Sequence, residues 1–347
     1  MRPVTLGVIG AGRIGKLHAE NILRMPDARL KLIADPYIDE NWARSLGLNF
    51  TLSPDAIFAD AEIEGVLILS PSPLHADQII EAARAGKHIF CEKPIALDPD
   101  RIVKALEVVQ QEGVKLQVGF NRRFDPDFKR LKQAVAAGDI GRIYVIKITA
   151  RDPKPPSIEY VKNSGGIFLD MTIHDFDMVR YLSDSEVEEV YATGAVLIDP
   201  AIGEAGDVDT AITTLKLKNG ALAVIDNSRQ AVYGYDQRIE VFGSKGSIAA
   251  MNRTPTQTVR FSPEGVISDK PLYFFLERYR ESFINEIEEF IQVIREDREP
   301  PVGGYDGLVS TLIGLAAKKS LAEGKPIRVE KLASEMGNVK YQNPIDI

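Results

Sequence analysis

The sequence predicts an α/β protein in which a doubly wound parallel sheet precedes an α+β domain with a large, mostly antiparallel sheet. Three observations predict this fold. Up to about residue 120, short apolar runs alternate with segments of helical periodicity, as in a parallel sheet covered on both faces. Beyond residue 120 the apolar segments are longer, β-branched and more alternating. A glycine-rich motif, Gly10-Ala11-Gly12-Arg13-Ile14-Gly15, joins the first apolar run to the first helical segment.

The first domain is predicted to be a Rossmann fold over residues 1–121. Asp98-Pro99 is a helix-start signal, with Asp98 as the N-cap and Pro99 in the first turn. The predicted strands are Val4–Ile9, Leu30–Ala34, Val66–Leu69, His88–Cys91 and Leu116–Phe120, and the helices between them are Ile14–Arg24, His75–Ala85 and Asp100–Glu112.

The second domain is predicted over residues 122–347. Lys218-Asn219-Gly220 indicates a tight hairpin between two of its strands. A final helix over about residues 306–322 is expected to pack back on the first domain. The strands are Tyr144–Ala150, Glu189–Leu197, Thr210–Lys216, Ala221–Ser228, Gln237–Phe242 and Ser247–Met251, and the other helices are Pro126–Ala137, Phe168–Leu182 and Tyr279–Glu296.

Composition excludes several functional classes. The 347 residues are 44% hydrophobic and 27% charged, which suits two globular domains. A formal net charge of -8 disfavours nucleic acid as a partner, because the surface repels phosphate. No apolar run approaches the ~20 residues of a membrane span. Cys91 is the single cysteine, so we expect no disulfide framework and no thiolate zinc site. We therefore expect a cytoplasmic protein without a metal.

The glycine motif predicts a dinucleotide site. Gly10, Gly12 and Gly15 allow a tight turn, close approach of the pyrophosphate, and close packing of helix on strand. The helix that begins near Arg13 directs its free N–H groups at the phosphates. Asp35, twenty positions after Gly15, is placed to accept hydrogen bonds from the adenosine ribose and to repel a 2′-phosphate. NAD is therefore favoured over NADP, although a guanidinium at Arg13 is able to reach the same ribose.

Further cofactor contacts are expected where parallel strands end, since ligands bind at the carboxyl edge of such sheets. The segments Ser70-Pro71, Glu92-Lys93-Pro94 and Asn121 follow three of the predicted strands. This topology places Lys93 near the nicotinamide end of a bound cofactor. The alternative is that Lys93 is a solvated lysine on the surface. His75 follows the proline-rich turn and is a further candidate.

A second constellation lies in the predicted helix Phe168–Leu182. Asp170, His174 and Asp177 stand at i, i+4 and i+7, within about 60° of arc on a continuous helix. A histidine beside a carboxylate suits an oriented general base near neutral pH. A structural histidine or a divalent-metal site are the alternatives.

Polar groups for a hydroxylated ligand are predicted around Tyr233-Gly234-Tyr235. In an extended segment the two tyrosines point to the same side. With Asn121, Arg123 and Asp152 they would supply donors and acceptors. Packing is the alternative role for the tyrosines.

These residues together resemble the glucose–fructose oxidoreductase/inositol dehydrogenase (Gfo/Idh/MocA) family over essentially the whole chain. The resemblance rests on the glycine motif, on Glu92-Lys93-Pro94, and on Asp170-x-x-x-His174-Asp175. Further segments are similar to those of bacterial myo-inositol 2-dehydrogenases: 120–126, 170–177, 203–209 and 233–238. The Lys154-Pro155-Pro156 insert beside Asp152 is the weakest correspondence.

The resemblance implies an NAD-dependent enzyme that oxidises a secondary hydroxyl of a cyclic polyol, with myo-inositol going to 2-keto-myo-inositol (scyllo-inosose). It implies Lys93, Asp170 and His174 as the catalytic group, and a homotetramer formed through the second sheet. Substrate contacts would come from Asp177, Asp152, Arg123, Tyr233 and Tyr235. Scyllo- or chiro-inositol, a sugar substrate, or a non-catalytic NAD-binding regulator are the alternatives.

Overall fold

The structure is a computed structural model that describes residues 2–336. The chain divides into two compact units. The first comprises residues 2–121 and 282–311, and the second comprises residues 122–281 and 312–335. Among residues 2–336, none of the helices combines the length and the apolar character needed to cross a membrane.

The first unit is built on a six-stranded parallel sheet. Its strands are β1 (Val4–Ile9), β2 (Ala28–Ala34), β3 (Phe50–Thr51), β4 (Gly65–Ile68), β5 (His88–Glu92) and β6 (Leu116–Gly119). The strand order is β3-β2-β1-β4-β5-β6, with every pair parallel. This is the order of dinucleotide-binding doubly wound sheets, and it confirms the predicted fold class.

Helices connect these strands as crossovers. They are α1 (Arg13–Ile22), α2 (Glu40–Ser45), α3 (Asp55–Ala59), α4 (His75–Arg84) and α5 (Pro99–Glu112). The Asp98 side chain accepts from the backbone N–H of Asp100, so α5 starts at the predicted cap. The prediction lacked β3, α2 and α3, because elements of two to six residues are too short to show a periodicity.

The second unit contains a seven-stranded sheet. Its first six strands are β7 (Ile143–Arg151), β8 (Val187–Ala195), β9 (Thr210–Leu217), β10 (Leu222–Ser228), β11 (Asp236–Gly243) and β12 (Gly246–Ala250). A separate hairpin follows in the chain, formed by β13 (Val259–Ser262) and β14 (Gly265–Ser268). The seventh strand of the sheet is β15 (Ile327–Arg328). The order is β12-β11-β7-β10-β9-β8-β15, and only the β7–β10 pair is parallel. The predicted mostly antiparallel sheet is therefore confirmed.

The remaining helices are α6 (Pro126–Ala136), α7 (Ile158–Asn163), α8 (Ile167–Asp170), α9 (Ile173–Ser183), α10 (Pro200–Glu204), α11 (Phe275–Arg278), α12 (Arg280–Glu296), α13 (Gly304–Glu323) and α14 (Val329–Glu335). The single helix predicted over residues 279–296 is wrong at its start. Tyr279 lies between α11 and α12, and its ring packs against those of Tyr235 and Phe128 within the second unit.

Helix α12 completes the core of the first unit. Ile287, Phe290 and Ile291 pack in one buried cluster with strand residues such as Leu6 and Phe90. Each fully buried side chain of this size stabilises the fold by about 1.5–3 kcal/mol. The first sheet therefore depends on a helix that lies far along the chain.

One titratable cluster is buried in this core. His18 on α1 packs edge-on against the rings of Phe90 and Phe283. Its Nε2 lies 3.5 Å from Glu286 Oε1 and 3.8 Å from Glu92 Oε1. Burial raises the pKa of Glu286 well above its ordinary value, and the nearby Glu92 charge raises it further. Both effects favour the protonated form of Glu286.

Because the raised pKa of Glu286 means that the native state binds a proton that the unfolded state releases, stability falls as pH rises above the ordinary glutamate pKa. One such proton changes the free energy of unfolding by at most about 1.4 kcal/mol per pH unit. We expect Glu286→Gln to flatten the fall in Tm between pH 6 and 8.5, measured by differential scanning fluorimetry. Glu288→Gln on the exposed side of α12 is the control and should follow the wild type. Equal pH slopes in all three proteins would contradict a protonated Glu286.

Candidate active site

The three glycines of the first loop, Gly10, Gly12 and Gly15, have different structural roles. Gly10 has φ +99°, and a Cβ there would stand 2.6 Å from the backbone of Leu69 and Ser70. A Cβ at Gly15 would stand 2.0 Å from the carbonyl oxygen of Gly10. A Cβ at Gly12, the N-cap of α1, would meet nothing within 4 Å. Gly10 and Gly15 are thus required by the fold, whereas Gly12 borders open space at a helix N-terminus, where a pyrophosphate would fit.

Asp35 ties the end of β2 to this loop. Its Oδ2 accepts from the backbone N–H of Ala11 at 2.6 Å, and its Oδ1 accepts from that of Tyr37 at 2.7 Å. Each carboxylate oxygen still has a second lone pair for a ribose hydroxyl. Arg13 and Tyr37 are exposed beside it.

His75 holds two of the predicted sheet-edge segments together. Its Nδ1 lies 2.9 Å from the carbonyl oxygen of Pro94, and its Nε2 lies 2.7 Å from that of Ser70. Burial lowers the pKa of His75, although both carbonyls favour its charged form. Because both ring nitrogens are engaged by the backbone, His75 fixes the Lys93–Pro94 segment, and any cofactor contact from it would be made by the ring face.

The other sheet-edge residues lie at the ends of β5 and β6. Glu92 and Lys93 are half-buried, and the Glu92 carboxylate packs over Gly119. Asn121 is buried in a 3₁₀ turn, Asn121–Phe124, directly after β6. Ser70 donates to Gln78 Oε1 at 2.6 Å, while Pro71 is exposed. Each therefore stands at the carboxyl edge where the sequence predicted it.

Asp170 is anchored through both of its carboxylate oxygens. Tyr160 Oη donates to its Oδ1 at 2.8 Å, and Arg229 Nη1 donates to its Oδ2 at 2.8 Å. The Arg229 side chain is only 2% exposed. These two hydrogen bonds fix the orientation of the carboxylate.

The continuous helix predicted through Asp170, His174 and Asp177 is wrong. Helix α8 ends at Asp170 and α9 begins at Ile173. At the break the N–H of Thr172 reaches back to the carbonyl of Ile167 at 2.9 Å, and its hydroxyl donates to Asn227 Oδ1 at 2.7 Å. The tertiary hydrogen bond to Asn227 therefore overrides the helical periodicity. Only His174, which is half-buried, and Asp177 share a helix.

Two aspartates of α9 are neutralised by arginines of the 3₁₀ turn. Arg123 donates through Nε to Asp177 Oδ2 at 2.8 Å and through Nη2 to Oδ1 at 2.6 Å. Arg122 donates through Nη1 to Asp175 Oδ1, and Asp175 Oδ2 accepts from Asn227 Nδ2 at 2.9 Å. Burial raises the pKa of Asp175, while Arg122 and Asn227 oppose that shift. Arg123 and Asp177 are predicted substrate contacts, and the structure joins their side chains to each other by two hydrogen bonds.

The two tyrosines predicted to share a side of an extended segment do not do so. The segment is a turn, in which Gly234 has φ +132° and its N–H bonds to the carbonyl of Ala231 at 3.1 Å. Tyr233 is partly exposed and donates to Asp236 Oδ2 at 2.5 Å. Tyr235 is buried edge-on against Tyr279, and burial raises its pKa well above the usual value. Glycine at a positive φ turns the chain, which breaks the alternation of a strand.

Sequence reasoning missed Arg229, Tyr160 and Asp207. Arg229 follows β10, and the two oxygens of Asp207 accept the N–H of Ile167 at 3.1 and 2.9 Å, which caps α8. Asp152, which the sequence did predict, lies with its Oδ2 3.9 Å from Arg229. No motif in the sequence marks these three residues, because their partners come together only in the fold.

Two family models match the chain. Residues 4–120 match an oxidoreductase family with an NAD-binding Rossmann fold, and residues 128–249 match the GFO/IDH/MocA C-terminal domain. Among curated proteins, the chain is 49% identical to a myo-inositol 2-dehydrogenase of Thermotoga maritima, over 94% of this chain and 99% of that protein. It is 48% identical to an inositol 2-dehydrogenase of Rhizobium meliloti, with the same two coverages.

A solved structure supports the same relationship. The scyllo-inositol dehydrogenase of Lactobacillus casei, solved with bound NAD(H) and scyllo-inositol, is 33% identical to this chain. It superposes with a TM-score of 0.88, over 94% of this chain and 99% of that one.

Replacing Gly12 and Gly15 by alanine should have opposite consequences. Gly12→Ala should keep the wild-type Tm but weaken dinucleotide binding, because its methyl group enters open space beside the helix N-terminus. Gly15→Ala should lower the Tm, because its methyl group overlaps the carbonyl of Gly10. NADH fluorescence titration and thermal unfolding measure the two effects. Wild-type NADH affinity in Gly12→Ala would argue against a phosphate site at this loop.

Proposed function

The chain belongs to the GFO/IDH/MocA oxidoreductase family, and on that premise we propose that it oxidises myo-inositol to 2-keto-myo-inositol (scyllo-inosose) with NAD⁺. The observation that carries the proposal is the near-full-length identity of 49% to a myo-inositol 2-dehydrogenase. Around Asp170 and His174 the second unit offers the anchored carboxylate and half-buried imidazole that removal of a hydroxyl proton requires.

The cofactor is NAD, consistent with the family model of the first domain. Gly10, Gly12, Arg13 and Ile14 would hold the pyrophosphate, and Asp35 the adenosine ribose. Ser70, Pro71, His75, Glu92, Lys93 and Asn121 complete the proposed cofactor-binding set. When bound, the nicotinamide ring accepts the hydride.

The residues of the chain handle the proton and the charge. An imidazole nitrogen of His174 would take the hydroxyl proton, and the ionised Asp170 would stabilise the resulting imidazolium. Lys93, through its Nζ, would donate to the reacting oxygen and stabilise the negative charge that develops there. Arg123, Asp152, Asp177, Tyr233 and Tyr235 remain proposed substrate contacts.

A second inositol isomer is the alternative substrate. A scyllo-inositol 2-dehydrogenase (NAD⁺) of Bacillus subtilis is 36% identical to this chain over 94% of its length. Its identity is lower than that of the myo-inositol enzyme, and for that reason myo-inositol is the preferred proposal.

Replacing His174 by alanine should lower kcat by about 10²–10⁴-fold, the usual contribution of a general base. NADH affinity should stay unchanged. The measurement is NADH formation with a panel of myo-, scyllo- and chiro-inositol and glucose. His88→Gln, which changes a half-buried histidine of the first unit, is the control and should keep the wild-type rate. An unaltered kcat in His174→Ala would remove His174 from the mechanism.

Cofactor selectivity tests the role of Asp35. We expect kcat/KM for NAD⁺ to exceed that for NADP⁺, because the carboxylate repels a 2′-phosphate. Asp35→Ser should lower the ratio of kcat/KM for NAD⁺ to kcat/KM for NADP⁺ by about tenfold or more. Asp39→Ser, a change in the exposed N-cap of α2, is the control and should leave that ratio unaltered. A preference of the wild type for NADP⁺ would overturn the assignment.

We also propose that the protein is a cytoplasmic homotetramer. One face of the second sheet carries exposed apolar side chains in neighbouring strands: Tyr191, Ile212, Leu222 and Phe242. Exposed apolar side chains on one face of a sheet favour contact with a second copy. The cytoplasmic location is supported by the need to regenerate NAD⁺ through partner reactions.

Placing charges on that face should weaken assembly. The double variant Ile212→Glu/Leu222→Glu should elute at a lower mass than the wild type in size-exclusion chromatography with light scattering. Leu52→Glu, at an exposed position of the first unit, is the control. Equal masses for all three proteins would show that assembly does not use this face.

A further inference from the structure

Arg229 is surrounded by carboxylates from three different segments. Its Nη1 donates to Asp170 Oδ2 at 2.8 Å and lies 3.9 Å from Asp152 Oδ2. Its Nη2 lies 3.8 Å from Asp207 Oδ2. A single guanidinium thus faces carboxylates from the end of α8, from the segment after β7 and from the segment after α10.

Only one of these contacts is a hydrogen bond of normal length. Within residues 2–336, Nε and Nη2 of Arg229 have no hydrogen-bond partner, although the side chain is 2% exposed. The short contact at Nη1 therefore singles out Asp170 as the carboxylate that Arg229 orients. Asp207 is held separately by the backbone N–H of Ile167.

The second anchor of Asp170 cannot replace the charge of the first. Burial and the Asp170 carboxylate raise the pKa of Tyr160, so its phenol keeps its proton and only donates. Tyr160 is thus a neutral hydrogen-bond donor on α7. The positive charge that faces Asp170 comes from Arg229.

The arginines of the second unit are arranged in two ways. Asp175 and Asp177 each pair with a neighbouring arginine of the 3₁₀ turn, whereas Arg229 faces Asp152, Asp170 and Asp207 together. Of these three carboxylates, only Asp170 lies within hydrogen-bond distance of the guanidinium. The geometry therefore couples Arg229 to the orientation of Asp170.

We propose that Arg229 is a positioning residue for the oxidation: it holds Asp170 ionised and fixed in orientation, so that Asp170 stabilises the cationic form of His174 during proton removal. The inference rests on the proposed function, and it assigns to Arg229 no contact with the substrate. Arginine suits this position because its planar guanidinium faces several carboxylates at once, which a lysine ammonium does less well.

Steady-state kinetics across pH test the proposal with Arg229→Ala and Arg229→Lys. We expect Arg229→Ala to lose about 10- to 100-fold in kcat, the range for loss of a hydrogen bond to a charged group. Without the positive charge of Arg229 the site should bind a proton more readily, so the acidic limb of kcat/KM should move to higher pH. Arg229→Lys, which keeps the charge, should lie between wild type and Arg229→Ala on both measures.

Three further measurements separate positioning from general damage. About 50 mM guanidinium chloride should restore part of the activity of Arg229→Ala and return the acidic limb toward the wild-type pH. NADH affinity should be unchanged. Arg180→Ala, which removes another buried arginine of the second unit from its pair with Glu186, is the control and should show neither the pH shift nor the rescue.

Distinct results overturn the two proposals. An active wild type with unshifted pH limbs in both Arg229 variants would refute the role of Arg229 and leave the proposed function intact. Loss of activity without a pH shift or guanidinium rescue would mark Arg229 as structural only. A wild type that forms no NADH with any polyol would refute the proposed function and this inference together.

Discussion

The second unit depends on pairing buried carboxylates with guanidinium groups. Asp125 and Arg278 pair at 2.6 Å with each side chain 1% exposed, and Arg123 pairs with Asp177 at 2.6 Å. A buried carboxylate without a partner costs several kcal/mol, so removing one arginine would expose the whole penalty. The Arg123–Asp177 pair fastens the 3₁₀ turn after β6 to α9, which carries His174, and the Asp125–Arg278 pair fastens the start of α6 to α11.

The arginine and aspartate side chains near Asp170 are arranged differently. The Arg123–Asp177 pair joins one arginine to one aspartate by two hydrogen bonds and fixes the position of a helix. Arg229 faces three aspartates, and its one short hydrogen bond orients Asp170. The same two types of residue thus fix a helix in one place and orient a single carboxylate in another.

The sequence was sufficient for the fold class and for the first sheet, because buried parallel strands and the glycine motif are local signals. The sequence was insufficient where tertiary hydrogen bonds determine the local backbone structure. The hydrogen bond between Thr172 and Asn227 breaks a helix whose periodicity continues through the break. Gly234 turns the segment that the sequence predicts to be extended. Arg229 carries no motif, and its importance comes from three aspartates that the fold gathers around it.

The packing of α12 into the first unit also bears on how the protein is made. Ile287, Phe290 and Ile291 lie in the same core as Leu6 and Phe90, yet about 160 residues separate the two parts of that unit in the chain. Translation proceeds at about 5–20 residues per second, so roughly 10–30 s pass before the second part has been synthesised. During that interval the nascent sheet has an uncovered apolar surface on the ribosome. Since the translation rate sets this delay, shielding of the waiting strands by a chaperone would favour efficient folding in the cell.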